Sequence, residues 1–275
     1  MPSMVVRQFG AEAKSNKVAA FDWVNAHLRA RAGAAIPCHQ RTATKLPTSS
    51  AMDVERALNT FDPHVVTPLC RVMRDCGSDK GMGWHNYTTL YSELVMPLVG
   101  KPGVKVFELG IGTNDPAAPS SMGAGGTPGA SLRGWARHLP DALVYAADID
   151  RMILVNEPRI RCFYVDQRDP ASVAALWFQD ELAGSAFDVI IDDGLHEFDA
   201  NVCFFEGSWH KLKVGGIFVI EDLMPGTYAK LAASKVDEWR ADPRFAGKLR
   251  FHLLRIPNAK NTSGDNALLI AQRVA

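Results

Sequence analysis

The stretch from Phe187 to His196 constrains the fold of this chain more than any other. Its β-branched apolar run, Val189–Ile191, predicts a strand that is buried on both faces of a sheet. Asp192 and Asp193 stand at the carboxyl end of this strand, and His196 follows three residues after Asp193. A buried strand that ends in acidic residues is typical of an α/β protein with a ligand site at the sheet edge.

A second stretch repeats this pattern. Gly216–Ile220 predicts another buried strand, and it ends in Glu221 and Asp222. Because parallel strands place their carboxyl ends at one edge, the acids of both stretches and His196 are expected to share a crevice. Clustered carboxylates repel one another unless a cation holds them, and oxygen ligands suit a hard divalent ion such as Mg²⁺. The sequence therefore predicts a metal site at this edge.

Strand and helix signals alternate from residue 104 onward. Helical patterns separate the strands, which we predict at Val104–Leu109, Leu143–Ile149, Arg161–Val165, Phe187–Asp192 and Ile217–Ile220, with a terminal antiparallel hairpin at 249–256 and 266–271. Repeated βα units predict an α/β fold with right-handed crossovers. We expect a Rossmann-like, doubly wound, seven-stranded sheet of order 3-2-1-4-5-7-6, with only the last strand antiparallel.

Residues 1–76 differ in character from the rest. Phe21, Val24 and Leu28 have helical spacing, and the stretch Gly33–Ser50 predicts a linker. We expect a helical N-terminal extension over 1–76 and a Rossmann-like domain over 77–275. An extension of this kind can pack between subunits, so a homo-oligomer is a further expectation.

Composition excludes several classes of protein. The formal net charge is zero, so nothing favours nucleic-acid or membrane-surface partners. The five cysteines are odd in number and scattered, which argues against a disulfide or zinc framework. The N-terminus has no apolar run of the kind found in a signal peptide, and no segment reaches membrane-span length. We expect a cytoplasmic, soluble protein.

The end of the first strand predicts a nucleoside cofactor. It reads Glu108-Leu-Gly110-Ile-Gly112, and glycines there let the backbone turn tightly and approach a ligand. The dinucleotide fingerprint is absent, because 18 residues separate Gly112 from the next helix at Ser131. Asp148 ends the second strand, where an acid commonly binds ribose hydroxyls.

Several groups of residues together resemble a known family. They are Ser78-Asp-Lys80 with His85-x-Tyr87, the loop leading to Gly129–Arg133, Val165–Gln167, Ile191–His196 and Val219–Asp222. With Glu108-x-Gly110-x-Gly112 and the acid after strand two, the chain resembles class I S-adenosylmethionine-dependent methyltransferases. It is similar in particular to the Mg²⁺-dependent macrolide-sugar O-methyltransferases.

This resemblance implies S-adenosylmethionine and Mg²⁺ as cofactors and a sugar-containing small molecule as acceptor. It also implies roles for individual residues: Asp193, Glu221 and Asp222 as Mg²⁺ ligands, His196 as catalytic base, Asp148 at the ribose, and Asp166 and Gln167 near the adenine. For Asp192 we expect a structural or cofactor-side role. Tyr87 and Tyr91, one helical turn apart, are expected in the core.

Three alternatives stay open at this point. An antibiotic hydroxylase-type enzyme shares the fold and the acid-rich edge, although a histidine at position 196 favours methyl transfer. A nucleic-acid base methyltransferase would carry an Asn/Asp-Pro-Pro-aromatic tetrapeptide where this chain has Asp192-Asp-Gly-Leu195. A non-catalytic nucleoside-binding module would explain Gly110 and Asp148 but not the acids beside His196.

Overall fold

A computed structural model of the chain describes residues 52–258 and 260–275. The helix expected around Phe21–Leu28 and the linker at Gly33–Ser50 lie outside these residues. The predicted domain boundary at residue 76 and the expected homo-oligomer stay predictions.

One mixed sheet forms the centre of the described part. Its strands are β1 (Lys105–Leu109), β2 (Leu143–Asp148), β3 (Asn156–Glu157), β4 (Ile160–Tyr164), β5 (Phe187–Asp192), β6 (Leu212–Ile220), β7 (Leu249–Arg255) and β8 (Ala267–Arg273). They lie in the order β3-β4-β2-β1-β5-β6-β8-β7. Without the two-residue β3, this is the predicted order 3-2-1-4-5-7-6.

The predicted fold class is confirmed, and the strand count needs one correction. The sheet has eight strands and not seven, because Asn156–Glu157 pairs with β4 in antiparallel orientation. This strand is too short to show a periodic pattern in the sequence. The terminal hairpin is in the main sheet as expected, and β8 runs antiparallel to both β6 and β7.

Helices cover both faces of the sheet. They are α1 (Val54–Thr60), α2 (Pro68–Cys76), α3 (Tyr87–Val95), α4 (Ala130–His138), α5 (Pro170–Trp177), α6 (Asp180–Ala183), α7 (Phe198–Ser208), α8 (Pro225–Lys230) and α9 (Val236–Ala241). A π-helical turn, Leu231–Lys235, joins α8 to α9. Met52, Leu69 and Met73 pack with α3, α4 and one face of the sheet, and an aromatic-rich cluster fills the opposite face.

The start of β6 differs from the sequence prediction. The sequence predicts this strand at Ile217–Ile220, yet β6 already begins at Leu212, soon after α7 ends at Ser208. Both glycines, Gly215 and Gly216, lie inside the strand. A Cβ on Gly216 would come within 3.0 Å of the backbone oxygens of Phe187 and Asp188. Glycine here permits close strand pairing at an irregularity in register.

Among the described residues, no helix combines the length and apolar character needed to cross a membrane.

Candidate active site

A cavity of about 350 Å³ lies at the carboxyl ends of the parallel strands. Gly110, Asp148, Asp193, His196 and Asp222 all border it. The sheet therefore brings the predicted nucleoside site and the predicted acid cluster to one cavity.

The turn after β1 and the end of β2 form one half of this cavity. Gly110 has a φ of +92°, and a Cβ on it would come within 2.0 Å of the Asp193 backbone oxygen. Asp148 accepts hydrogen bonds from the backbone N–H groups of Ile111 at 2.7 Å and Asp150 at 2.9 Å. Burial raises the pKa of Asp148. The two strand ends are thereby held together, and the Asp148 carboxylate faces the cavity.

The segment 113–130 covers this half of the cavity. Met122 lies against Gly112, where an added Cβ would come within 2.5 Å of the Met122 thioether. The backbone of Met122 also donates a hydrogen bond to the Thr113 carbonyl at 2.9 Å. Gly112 therefore makes room for a wall that the inserted segment supplies.

Glu108 does not border the cavity. Its fully buried carboxylate accepts hydrogen bonds from Ser131 Oγ at 2.5 Å and Trp135 Nε1 at 2.6 Å. Burial raises its pKa. The structure thus places Glu108 behind the glycine turn, and its predicted cofactor role stays a prediction.

Asp166 and Gln167 border the cavity after β4. Asp166 accepts a hydrogen bond from the Arg168 backbone at 3.0 Å. The Gln167 amide is turned toward the protein: its Nε2 donates to both oxygens of Asp192, and its Oε1 accepts from the Leu195 backbone at 2.9 Å. Gln167 therefore links the cavity wall to the loop that carries His196.

Asp192 has no exposed surface. Besides Gln167, Asn201 Nδ2 donates to it at 3.0 Å and the Gly194 backbone at 3.3 Å. Burial raises its pKa to about 6. These contacts agree with the structural role expected for Asp192.

Asp193, His196 and Asp222 offer ligand atoms that all lie within 4.8 Å of one another. His196 and Asp222 adopt left-handed backbone conformations, with φ values of +60° and +51°, which are uncommon for non-glycine residues. In the described part of the chain, the buried Nδ1 of His196 has no hydrogen-bond partner. Two carboxylates and an imidazole can therefore converge on one ion or substrate.

Glu221 lies deeper than its neighbour Asp222. Its carboxylate has no exposed surface and accepts a hydrogen bond from Tyr91 Oη at 2.5 Å through Oε1. Its Oε2 accepts from Lys80 Nζ. Burial raises the pKa of Glu221 well above its ordinary value.

Lys80 is a residue of the site to which the sequence interpretation gave no role. Its ammonium also contacts Asp193 and lies 3.5 Å from Glu108. The attraction of these acids raises the pKa of Lys80 in spite of burial, which alone would lower it. Its place in the Ser78-Asp-Lys80 motif was the signal that could have identified it.

Tyr87 and His85 support Asp222 from α3 and the turn before it. Tyr87 Oη donates to Asp222 Oδ1 at 2.5 Å, and His85 Nδ1 lies 3.2 Å from the same oxygen. Burial, with repulsion from Asp193, raises the pKa of Asp222 to about 7. Tyr87 and Tyr91 are buried as expected, but their hydroxyl groups additionally contact the acid cluster.

The sheet order and the glycine turn define the fold of class I methyltransferases. In solved structures, the described fold is similar to the MycE methyltransferase from the mycinamycin biosynthetic pathway. Its complex with Mg, SAH and mycinamycin VI has a TM-score of 0.59 at 20% identity, over 86% of this chain and 68% of that one. A second MycE structure, with Mg and SAH, has a TM-score of 0.58 at 21% identity, over 76% of this chain and 55% of that one.

Relatives with similar sequences carry more specific names. The chain is 34% identical over 197 residues to 8-demethyl-8-alpha-L-rhamnosyl tetracenomycin-C 2'-O-methyltransferase of Streptomyces olivaceus, which is 71% of this chain and 48% of the relative. It is 34% identical to L-olivosyl-oleandolide 3-O-methyltransferase of Streptomyces antibioticus, over 56% of this chain and 37% of that relative. It is 37% identical to mycinamicin VI 2''-O-methyltransferase of Micromonospora griseorubida, over 34% of this chain and 23% of that relative.

No family model matches the chain. The chain spans about half the length, or less, of the curated relatives it matches. These comparisons confirm the resemblance that the sequence predicts. The chain is similar to class I methyltransferases and, among them, to the macrolide-sugar O-methyltransferases.

Proposed function

We propose that this chain transfers a methyl group from S-adenosylmethionine to a hydroxyl of a sugar on a glycosylated natural product, with the assistance of one Mg²⁺. One observation carries the proposal: a single cavity joins the glycine turn and Asp148 to Asp193, His196 and Asp222. A donor cofactor and an acceptor hydroxyl could meet there. The names of the relatives, which are O-methyltransferases of glycosylated compounds, support the acceptor class.

The residues of the first half fit a nucleoside with a sulfonium side chain. The tight turn at Gly110 and Gly112 borders the cavity beside Asp148, and the Asp148 carboxylate can accept a hydrogen bond from a ribose hydroxyl there. Asp166 and Gln167 form the wall where the adenine would lie, and Glu108 stabilises the turn from behind.

The donor set of the second half fits a hard divalent cation. Carboxylate oxygens are the ligands that Mg²⁺ prefers, and Asp193 and Asp222 present theirs to the cavity. Glu221 does not border the cavity, and its place as the third ligand rests on the resemblance; its oxygens have lone pairs beyond those that Tyr91 and Lys80 use. When bound, the ion would supply Lewis acidity that makes the acceptor hydroxyl easier to deprotonate.

His196 would take the proton of that hydroxyl. His196 borders the cavity, and within the described residues its buried Nδ1 has no hydrogen-bond partner. In the transfer, the acceptor oxygen forms a bond to the methyl carbon, the carbon–sulfur bond breaks, and the proton goes to His196. S-adenosylhomocysteine and a methyl ether are the products.

The assay combines purified chain, S-adenosylmethionine and Mg²⁺ with rhamnosyl and olivosyl glycosides, and with the matching aglycones as controls. We expect methyl ethers of the glycosides and one S-adenosylhomocysteine per product, both by mass spectrometry. EDTA should abolish turnover and Mg²⁺ should restore it. Full activity in excess EDTA would contradict the metal requirement, and a hydroxylated product without S-adenosylhomocysteine would favour the hydroxylase-type alternative.

His196→Ala separates a base from a metal ligand, since His196 lies among the candidate ligands. As a base, its loss should lower kcat by about 10²-fold or more and leave Mn²⁺ affinity nearly unchanged. The exposed His64, replaced by alanine, is the control. A loss of Mn²⁺ affinity of about tenfold or more in His196→Ala would assign the imidazole to the metal.

A further inference from the structure

Lys80 lies in the centre of the acid cluster and has no part in the chemistry proposed above. It belongs to the turn between α2 and α3, and only 2% of its surface is exposed. Its backbone is fixed on both sides: its N–H donates to Ser78 Oγ at 3.3 Å, and its carbonyl accepts from the Thr88 N–H at 3.2 Å. The turn therefore delivers this side chain to the interior in a defined position.

The ammonium of Lys80 meets carboxylates from three strands. Nζ contacts Asp193 after β5 and Glu221 after β6, and it lies 3.5 Å from Glu108 of β1. An ammonium has three N–H donors, so each of them has a carboxylate oxygen within reach. Lys80 thus binds together the ends of the three central strands.

The acidic residues of this cluster outnumber its cations. Glu108, Asp193, Glu221 and Asp222 are four acids, and Lys80 is the one permanently charged cation that contacts them among the described residues. A divalent ion bound beside Lys80 would supply further positive charge to these acids. Lys80 therefore supplies positive charge to the cluster whether or not an ion is bound there.

The open oxygens of the cluster point to the site of that single ion. Asp193 contacts Lys80 through Oδ2, and Asp222 contacts Tyr87 and His85 through Oδ1. Within the described residues, Asp193 Oδ1 and Asp222 Oδ2 make no hydrogen bond, so they are free for a cation on the cavity side. Asp193 would then lie between two positive charges.

We propose that Lys80 is a positioning residue: it is the resident cation that holds Asp193 and Glu221 in place before metal arrives, and its charge weakens the binding of the divalent ion beside it. The second part rests on the proposed function, since it requires a metal site. Because both cations would contact the carboxylate of Asp193, they would repel each other even at an effective dielectric constant of about 20. The site would accordingly form without metal and release its ion readily.

Lys80→Met tests this inference, because methionine keeps a long side chain and removes the charge. The control is Lys211→Met, since Lys211 is also buried but its hydrogen bonds to the described residues go to the backbone carbonyls of Leu182 and Ala183. Mn²⁺ affinity is measured by calorimetry at pH 8 without cofactor or acceptor, and the melting temperature is measured in EDTA and in saturating Mn²⁺.

We expect Lys80→Met to bind Mn²⁺ about tenfold or more tightly than the wild type. Its melting temperature should fall in EDTA, and Mn²⁺ should raise it more than it raises that of the wild type. Lys211→Met should keep wild-type Mn²⁺ affinity, and its loss of stability should be the same with and without metal.

Unchanged or weaker Mn²⁺ binding by Lys80→Met would overturn the part of the inference in which the charge of Lys80 weakens metal binding, and it would leave the metal site standing. A melting temperature that does not fall in EDTA would overturn the positioning part. If the wild type binds no Mn²⁺, the metal part of the proposed function fails. In that case Lys80→Met still tests the inference, because a gain of Mn²⁺ binding by the variant supports it and no gain overturns it.

A second variant covers the case in which Lys80→Met does not fold. Lys80→Met/Glu221→Gln removes a positive and a negative charge together and leaves the hydrogen bond of Tyr91 possible. It should fold in EDTA and melt at a higher temperature than Lys80→Met, because no uncompensated charge stays buried at this pair. A double variant that is less stable than Lys80→Met would overturn the role of Lys80 as counter-cation to Glu221.

Discussion

Gln167 Nε2 donates to both carboxylate oxygens of Asp192, at 2.8 and 2.9 Å. The two residues follow β4 and end β5, strands that β2 and β1 separate in the sheet. The other amide atom of Gln167 accepts from Leu195, the residue before His196. One side chain therefore connects the wall of the proposed adenine site to the loop of the proposed base.

Gln167→Met should lower kcat more than it lowers cofactor affinity. Methionine has similar length but no polar group. The Leu195 N–H therefore loses its acceptor, and the loop that carries His196 is no longer held in position. A displacement of about 1 Å can cost about 10²-fold in rate. We expect kcat to fall tenfold or more by steady-state kinetics, with S-adenosylhomocysteine affinity within about threefold of wild type by calorimetry.

The exposed Gln179, replaced by methionine, controls for the loss of a glutamine elsewhere. The opposite pattern, weak S-adenosylhomocysteine binding with normal kcat, would show that Gln167 serves the cofactor directly.

Asp148→Ala should weaken S-adenosylmethionine binding by roughly 1.5–3 kcal/mol, the range for hydrogen bonds to a charged group. Asp150→Ala is the matched control, because Asp150 also follows β2 but its carboxylate accepts from Thr113 at 2.5 Å and from the Met152 backbone at 2.8 Å. Calorimetry of both variants decides the matter. Equal affinity in Asp148→Ala and wild type would remove Asp148 from the cofactor site.

Gly110→Ala should disturb both halves of the cavity. Its φ of +92° disfavours a side chain, and a Cβ would collide with the Asp193 backbone oxygen. We expect a loss of roughly 1–3 kcal/mol in unfolding free energy from the backbone strain and weaker binding of both cofactor and Mn²⁺. Gly125→Ala is the control, because a Cβ there meets nothing within 4 Å. Wild-type Mn²⁺ binding by Gly110→Ala would argue that the two halves are independent.

The sequence predicts the buried strands well, because a fully buried strand has a sharp apolar pattern. Phe187–Asp192 is found with the predicted bounds. Weak patterns are the exceptions. The two-residue β3 has no period, and the glycines of β6 resemble a helix end although they serve strand pairing.

The acids of the site follow from strand position, but their partners do not. Lys80 contacts Asp193 across 113 positions of sequence, and a lysine in a glycine-rich turn ordinarily predicts solvent exposure. The same holds for Tyr87 and Tyr91, because periodicity reports which face of a helix is buried and not where a hydroxyl points. These contacts within the cluster therefore follow from the three-dimensional structure and not from local sequence patterns.

His252 supplies a test of stability away from the site. It lies in β7 with 12% of its side chain exposed, and its Nδ1 is 3.9 Å from Glu55. Within the described residues, its buried Nε2 has no hydrogen-bond partner. Burial lowers the pKa of His252 below its ordinary value of 6.5. The folded protein therefore holds this imidazole neutral at a pH where the unfolded chain would bind a proton.

The sign of the pH dependence follows from that difference. Above about pH 6.5 both states are neutral, and His252 contributes no pH dependence. As pH falls below 6.5, the unfolded chain binds the proton first, so the free energy of unfolding declines, by at most about 1.4 kcal/mol per pH unit from this group.

His252→Leu removes this contribution and also removes an unpaired polar atom. Urea unfolding at pH 5, 6, 7 and 8 should show that the variant loses less stability than wild type toward pH 5. Other groups titrate in both proteins, so the difference between the two curves isolates His252, and parallel curves would mean that its imidazole is as easily protonated in the folded state as in the unfolded one.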